Sequence, residues 1–392
     1  MELSVYFDPV QLAKMEIPAS QRPRILELCT VNTPESGFPD VEKCNIAIIG
    51  VPEERGNVDN SGCANGPDKI REQLFQLFPG RWNINIVDLG NIKRGHSLND
   101  TFFALSSVCS ELLKMNIIPV ILGGSQDITW AAYKSYEELG QIINIVSVDS
   151  RFDIGEEDSA LTSRSYLSKI LLHQPNYLFN YTNIGYQSYY VDNEAVNLMS
   201  KLFFDTYRLG VVRADMEEVE PIVRNADMLS VDISAVRQGE APGNKNAGPN
   251  GFFGDEICQI MRYAGLSDKL SSVGLFEYNP LYDNNDQTAK LMAQMIWYFC
   301  EGYVQRKSDF PYRDKEKSDY IKYVVPVENH DDELIFYKSK KSDRWWMEVQ
   351  CPQNVKARYE RHYMVPCSYE DYKDACANDI PERWWMVYQK LM

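Results

Sequence analysis

Residues 117–124, Ile-Ile-Pro-Val-Ile-Leu-Gly-Gly, decide the fold class of this 392-residue chain. The run is apolar and largely β-branched, which is typical of a strand buried on both faces of a parallel sheet. Similar short runs recur with helical stretches between them, at residues 45–50, 85–89, 142–149, 177–184, 207–212, 227–233 and 270–276. This alternation predicts an α/β protein of three layers, with helices covering both faces of a mainly parallel sheet of about eight strands.

Acidic residues stand where three of these predicted strands end. Asp149 stands at the end of the run 142–149, and Asp153 follows it. Asp232 stands at the end of the run 227–233, and Glu277 follows the run 270–276. Ligands of such sheets bind beyond the carboxyl ends of the strands. We therefore expect the four acids to converge on one rim, as either a metal or cation site or an internal salt-bridge cluster, because buried acids need partners.

The chain after residue 305 has a different character. Residues 306–320 are highly charged and are predicted to be a linker, and two short motifs then recur about 40 residues apart. The paired motifs are Tyr323-Val324-Val325-Pro326 with Tyr363-Met364-Val365-Pro366, and Asp343-Arg344-Trp345-Trp346-Met347 with Glu382-Arg383-Trp384-Trp385-Met386. We predict an N-terminal extension (1–40), a main domain (41–305), and a linker with a duplicated Trp-Trp appendix (306–392). The tryptophans form either the core of this appendix or a surface for a protein partner.

Charge and composition exclude several classes of partner. The net charge of -16 repels phosphate backbones and anionic lipid, so neither nucleic acid nor a membrane surface is expected to bind. The N-terminus lacks the basic and apolar regions of a signal peptide, and no apolar run approaches the roughly 20 residues needed to span a bilayer. Nine cysteines without a Cys-x-x-Cys pair predict a reduced, cytoplasmic protein whose thiols are mostly buried.

Four motifs, in order, resemble those of the ureohydrolases, the family of arginase, agmatinase and formimidoylglutamase. The family carries Gly-Gly-x-His, Asp-x-His-x-Asp, Ser-x-Asp-x-Asp and Glu-x-Asn-Pro, each after a strand of one parallel sheet. The matching segments here are Gly123-Gly124-Ser125-Gln126, Asp149-Ser150-Arg151-Phe152-Asp153, Ser230-Val231-Asp232-Ile233-Ser234 and Glu277-Tyr278-Asn279-Pro280. The ordered set covers roughly residues 45–302, and the resemblance implies an arginase-like fold over that range.

The resemblance also implies a metal site. Family members hold two Mn²⁺ ions with two histidines and four aspartates, and a bridging hydroxide attacks a guanidinium or amidine carbon. By this resemblance, Asp149 and Asp232 match the two bridging carboxylates and Asp153 matches a terminal ligand of the first metal. Gln126 stands at the position of the first metal's histidine, and its carboxamide oxygen is a weak ligand for a hard cation.

The ligands of the second metal are replaced. Arg151 stands for its histidine and Ser234 for its last aspartate. Arginine stays protonated and has no lone pair for a metal, so we expect at most one weakly bound divalent cation. Three acids in one pocket need compensation, and we predict that the Arg151 guanidinium occupies the second metal's place and pairs with Asp149 or Asp232.

The remaining family residues give a mixed pattern. The histidine that shuttles protons in the family would fall near residues 162–164, where this chain has none. Glu277 is retained; by resemblance it contacts the cationic head of the substrate, and the alternative is that it balances a basic residue.

Three functional hypotheses follow. The first is an arginase-family protein that has lost dimanganese catalysis and serves as a binding, assembly or regulatory scaffold. The alternative is a divergent C–N hydrolase of the formimidoylglutamase or agmatinase type, acting on a linear amidine or guanidine. The third is a module that binds a cationic small molecule without turnover. By analogy with the family, the chain could form a homo-oligomer.

Overall fold

The main sheet of the computed structural model, which describes residues 2–155, 160–311, 319–327 and 333–392, has ten strands. These are β1 Phe7–Asp8, β2 Cys29–Val31, β3 Ile46–Val51, β4 Ile86–Ile92, β5 Ile118–Gly123, β6 Ile143–Val148, β7 Leu178–Tyr186, β8 Asp205–Arg208, β9 Met228–Asp232 and β10 Ser272–Phe276. They lie in the order β1-β4-β3-β5-β10-β9-β6-β7-β8, and β2 also pairs with β4. Every pair is parallel except β1 with β4, which confirms the predicted mainly parallel sheet.

Helices cover both faces of this sheet. They are α1 Ile25–Leu28, α2 Gly66–Leu74, α3 Leu98–Lys114, α4 Ile128–Glu138, α5 Tyr166–Leu172, α6 Asn193–Lys201, α7 Leu209–Ala214, α8 Val219–Arg224, α9 Gly254–Leu266 and α10 Gln287–Val304. Apolar side chains of α2, α8, α9 and α10 pack in the core on one face, and those of α3, α4, α5 and α6 pack on the other. The predicted three layers are therefore present. Within the described residues, no helix has the length and hydropathy needed to cross a membrane.

The sequence prediction differs from the structure at the edges of the sheet. The predicted N-terminal extension contributes β1 and β2, which extend the sheet beyond the eight predicted strands. The strand predicted at residues 207–212 is present but lies earlier, at Asp205–Arg208, because the chain turns into α7 after Arg208. β7 is the neighbour of β8 and ends opposite Arg208, so a longer strand would lack a partner for its backbone groups. A helical turn satisfies those groups locally.

The C-terminal appendix contains a second, antiparallel sheet. Its strands are β11 Tyr320–Pro326, β12 Glu333–Ser339, β13 Trp345–Glu348 and β14 Met364–Cys367, and its helices are α11 Gln353–Arg358, α12 Tyr369–Cys376 and α13 Glu382–Leu391. Trp345, Trp346 and Trp384 are buried, while Trp385 is 42% exposed. Three of the four tryptophans therefore lie in the core of the appendix. Most of the predicted linker, residues 312–318, lies outside the described residues.

Only one of the two recurring motifs has the same structure both times. Residues 324–326 lie in β11 and residues 364–366 lie in β14, so that motif is in a strand in both places. The Trp-Trp motif is not. Trp345 and Trp346 lie in strand β13, whereas Trp384 and Trp385 lie in helix α13. Neighbouring residues of a strand point to opposite faces, and both faces of β13 are covered. Neighbouring residues of a helix lie about 100° apart, so only Trp384 reaches the core. Pro381 precedes the second motif and favours the start of a helix there.

Arginine side chains anchor the appendix to the main domain. Arg224, which is buried at the end of α8, donates hydrogen bonds to the carbonyl oxygens of Trp345 and Cys367, each at 3.1 Å. Arg361 of the appendix pairs with buried Asp227, just before β9, at 2.7 Å. The appendix is thus joined to the side of the sheet at which β9 begins.

Candidate metal centre

The four central strands of the sheet, β5, β10, β9 and β6, carry the four motifs at their carboxyl ends. Carboxylate oxygens of Asp149, Asp153 and Asp232 lie within 4.8 Å of one another. The backbone N–H of Gln126 donates to Glu277 Oε1 at 2.8 Å, so β5 and β10 are joined at the same rim. The predicted convergence of these residues on one rim is confirmed.

Backbone hydrogen bonds hold the aspartates in place. Asp149 Oδ1 accepts the N–H of Arg151 at 2.8 Å, and Asp232 Oδ1 accepts the N–H of Ser234 at 2.7 Å. Each bond closes a tight turn at the end of a strand and orients one oxygen of the carboxylate. Asp149 Oδ2 is buried and accepts no hydrogen bond from a described residue. A buried carboxylate oxygen without a donor is a candidate ligand atom for a cation.

Gln126 is oriented by its neighbours on β9 and α4. Its Nε2 donates to Ser230 Oγ at 2.8 Å, and that hydroxyl also contacts Thr129 Oγ1 at 2.8 Å. The carboxamide oxygen of Gln126 is buried without a hydrogen-bond partner among the described residues. The amide therefore presents its oxygen, which is the atom that a hard cation accepts as a ligand.

The electrostatics of the cluster favour a bound cation. Burial, followed by the nearby carboxylates, raises the pKa of Asp149 well above its usual value. Burial also raises the pKa of Asp153, to about 7. Burial raises the pKa of Asp232 as well. Three acids held this close resist full ionisation at neutral pH unless positive charge lies among them.

A cavity of about 10 Å³ adjoins the cluster, and Asp153, Asp232, Ser234 and Glu277 line it. This volume is about that of one water molecule or one small ion. The three clustered aspartates offer oxygens for a divalent cation beside this cavity. By the family resemblance, the positions of the second metal's terminal ligands carry Arg151 and Ser234, and arginine has no lone pair for a metal.

The prediction for the Arg151 side chain is wrong. Its guanidinium lies 4.3 Å from the centre of the Tyr190 ring and donates to the Tyr190 carbonyl oxygen at 3.4 Å. It forms no ion pair within 4.0 Å with Asp149, Asp153 or Asp232. The guanidinium stacks on an aromatic ring instead of entering the aspartate cluster. The Arg151 guanidinium therefore does not take the place that was predicted for it beside the aspartates.

Arg164 is a site residue that the sequence analysis missed. It lines the small cavity together with Arg151. Its positive charge opposes the rise in the pKa of Asp153 and of Asp232. Arg164 lies in the segment, residues 162–164, where the family resemblance places the shuttle histidine. A basic residue in that loop, opposite an acidic rim, was the feature of the sequence that indicated its role.

Glu277 is held by neutral donors. Its Oε1 accepts the N–H of Gln126, and its Oε2 accepts Nδ2 of Asn60 at 2.8 Å. Among the described residues it has no ion-pair partner, so the interpretation that it balances a basic residue finds no support. Burial raises its pKa to about 8, and Asp232 adds to this effect. Contact of Glu277 with a cationic ligand stays a prediction.

Comparison with known proteins agrees with this geometry. The sequence model of the Arginase family matches residues 44–301. A formimidoylglutamase of Streptococcus gordonii is 26% identical over 310 residues, which are 72% of this chain and 91% of that relative. The crystal structure of Bacillus subtilis formimidoylglutamase superposes with a TM-score of 0.67 at 19% identity, covering 75% of this chain and 96% of that one. Trypanosoma cruzi formiminoglutamase, solved with Mn²⁺, gives a TM-score of 0.64 at 19% identity, covering 72% and 99%. This chain belongs to the arginase family.

Proposed function

We propose that this protein is a hydrolase of C–N bonds in linear amidines, of the formimidoylglutamase type, that works with one divalent cation instead of two. The observation that carries the proposal is the cluster of carboxylate oxygens from Asp149, Asp153 and Asp232, beside a cavity of one-ion size that Asp153 and Asp232 line. A divalent cation bound there would polarise a substrate and lower the pKa of a bound water.

The names of the relatives support the choice of substrate class. The curated relatives that this chain resembles over most of its length are formimidoylglutamases. N-formimidoylglutamate is a linear amidine, so it is the first substrate to assay. Glu277, held by Gln126 and Asn60 at the edge of the cavity, is placed to contact the cationic amidine head.

A non-catalytic binding or scaffold protein is the second candidate, and specific observations favour it. Arg151 and Arg164 both line the cavity and repel a cationic substrate. None of the four histidines of the chain stands at a ligand or proton-shuttle position. Under this candidate the aspartates bind a cation that orders the rim, and no amidine is hydrolysed.

Metal analysis combined with an activity assay separates the candidates. The protein is purified without added metal, dialysed against Mn²⁺, Mg²⁺ or Ca²⁺ in turn, and its metal content is measured. Release of formamide from N-formimidoylglutamate, and of urea from agmatine and arginine, is then followed with each ion. Asp232→Asn, which keeps the side-chain shape and loses the charge, serves as the matched control.

We expect one equivalent of metal in the wild-type protein and a metal-dependent release of formamide that Asp232→Asn abolishes. One equivalent of metal without any release would support the scaffold candidate. Two tightly bound ions per chain would contradict both candidates, because both rest on the loss of the second ligand set. A protein partner for the appendix, through exposed Trp385, remains a separate prediction.

A further inference from the structure

A second cavity lies between the main domain and the appendix. It is at the amino-terminal ends of the central strands, opposite the rim that carries the aspartate cluster. It has a volume of about 620 Å³, and Lys269, Arg306 and Arg361 line it. Its apolar walls include Leu139, Leu270 and Tyr303. We call it the junction pocket. It lies where β9 and β10 begin, so the five residues of β9, at roughly 3.3 Å each, separate it from the aspartate cluster.

Lys269 holds a buried ammonium group beside the junction pocket. The residue is 3% exposed, and its Nζ lies 3.0 Å from Asn225 Oδ1 and 3.6 Å from Asp227 Oδ2. Burial lowers the pKa of Lys269 to about 8. The side chain itself is fully buried, so the ammonium group adds positive charge beside the cavity without contacting its contents.

Arg306 is fixed by carbonyl oxygens instead of carboxylates. Its Nε donates to the Gly265 carbonyl at 2.8 Å and its Nη2 to the Leu270 carbonyl at 3.1 Å. The guanidinium also lies 4.5 Å from the centre of the Tyr303 ring. In the described part of the chain, it has no ion-pair partner and its Nη1 makes no hydrogen bond. Neutral partners orient the charge of Arg306 without neutralising it.

The charges around the junction pocket do not cancel. Arg361 pairs with Asp227, whose carboxylate also faces Lys269. Asp268 also lines the pocket, and its oxygens accept the backbone N–H groups of Ser308 and Asp309. Three cations therefore face two carboxylates, which leaves one positive charge in a protein whose net charge is -16. Such a surplus within a partly apolar cavity attracts an anion.

We propose that the junction pocket binds a small metabolite that carries a phosphate group. Its volume falls within the roughly 300–1,000 Å³ typical of small-molecule sites, which combine apolar walls with a few convergent polar groups. Arg306 and Arg361 come from separate segments and line one cavity, and buried Lys269 adds positive charge beside it. A phosphate, with several acceptor oxygens and up to two negative charges, matches guanidinium donors and a surplus of positive charge. The apolar wall suits the non-phosphate part of the ligand.

Isothermal titration at constant ionic strength tests this proposal with four probes: AMP, ATP, pyrophosphate and citrate. The central variant is Arg306→Gln, and the matched control is Arg213→Gln, which removes an arginine that pairs with Glu256 outside the junction pocket. We expect a phosphate probe to bind with one-to-one stoichiometry, at least tenfold more weakly to Arg306→Gln and unchanged to Arg213→Gln. Comparing nucleotides with pyrophosphate shows whether the ligand is an organic or an inorganic phosphate.

A second variant protects the test against misfolding of Arg306→Gln. Asn116 lines the junction pocket and is exposed, so Asn116→Asp adds a negative charge without removing a buried contact. We expect this variant to keep its circular dichroism spectrum and to bind the phosphate probe at least threefold more weakly. The proposal is overturned if no phosphate probe binds below 1 mM, if only citrate binds, or if both pocket variants bind like the wild type.

Discussion

Replacement of Asp149 by asparagine should stabilise the metal-free protein while removing its response to metal. Carboxylate oxygens of the three clustered aspartates lie within 4.8 Å, and at an effective dielectric constant of 20 one pair of charges at that distance repels by about 3.5 kcal/mol. Partial protonation already relieves some of this repulsion. An asparagine at this position removes one of the three clustered charges and offers an N–H donor to the neighbouring carboxylates. We expect a gain of about 1–3 kcal/mol at pH 8.

Thermal unfolding at pH 8, with and without Mn²⁺, measures both effects. For 392 residues the unfolding entropy is about 0.8 kcal/mol per degree, so the gain corresponds to a rise in Tm of about 1–4 °C. An ion at about a hundred times its Kd stabilises the wild type by about 2.7 kcal/mol, or about 3 °C. Asp149→Asn should show no such shift, because it loses a ligand charge.

Asp88→Asn is the matched control, since Asp88 is as buried as Asp149 but has a partner. Arg71 donates to Asp88 at 2.8 Å and 3.0 Å, and both side chains are fully buried. Removing one member of such a pair costs about 3–5 kcal/mol, so this variant should unfold at a lower temperature. A fall in the Tm of metal-free Asp149→Asn, or a wild-type Tm that no divalent cation raises, would refute the electrostatic argument.

Three further predictions concern the second ion, the appendix and pH. The triple variant Gln126→His, Arg151→His, Ser234→Asp restores the ligand set that the family resemblance implies, and elemental analysis should find two equivalents of Mn²⁺ where the wild type holds one. Arg224→Met leaves two carbonyl oxygens without donors, so urea denaturation should show a loss of about 2–5 kcal/mol, against less than about 1 kcal/mol for exposed Arg213→Met. Burial lowers the pKa of His362, so the unfolded chain gains a proton that the folded chain does not as pH falls through about 6.5. The wild type should therefore lose more stability between pH 7 and pH 5 than His362→Gln does, as measured by Tm.

The position of the metal centre could be predicted because each step of that prediction is local. Apolar runs identify β5, β6, β9 and β10, and parallel strands place their carboxyl ends on one rim. Residues at those ends, including Gln126, Asp149 and Asp232, converge because β5, β10, β9 and β6 are neighbours in the sheet. The edge strands of the sheet were harder to predict. Whether residues 209–214 extend β8 or form a helix depends on where the neighbouring strand β7 ends.

The side chains around the rim could not be predicted in the same way. Arg151 has several rotatable bonds, and its direction depends on Tyr190, which belongs to the segment after β7. Charge balance alone favoured the aspartates as partners of Arg151, but the Tyr190 ring and the Tyr190 carbonyl oxygen hold the guanidinium instead.

The junction pocket could not be predicted from the sequence either, because Lys269, Arg306 and Arg361 are far apart in the chain and form no motif.

A comparison of buried acids within this one chain bears on whether the centre still binds an ion. Asp88 faces Arg71, and Asp227 faces Lys269 and Arg361, so each of these carboxylates has a basic partner within ion-pair distance. Asp149 has none among the described residues, and one of its oxygens lacks even a hydrogen bond. A buried charge without a partner destabilises a fold by several kcal/mol. Arg151 and Arg164 lie near this rim, but neither forms an ion pair with Asp149 among the described residues. A bound cation would supply the close compensation that Asp149 lacks, so metal occupancy is the first property of the centre to measure.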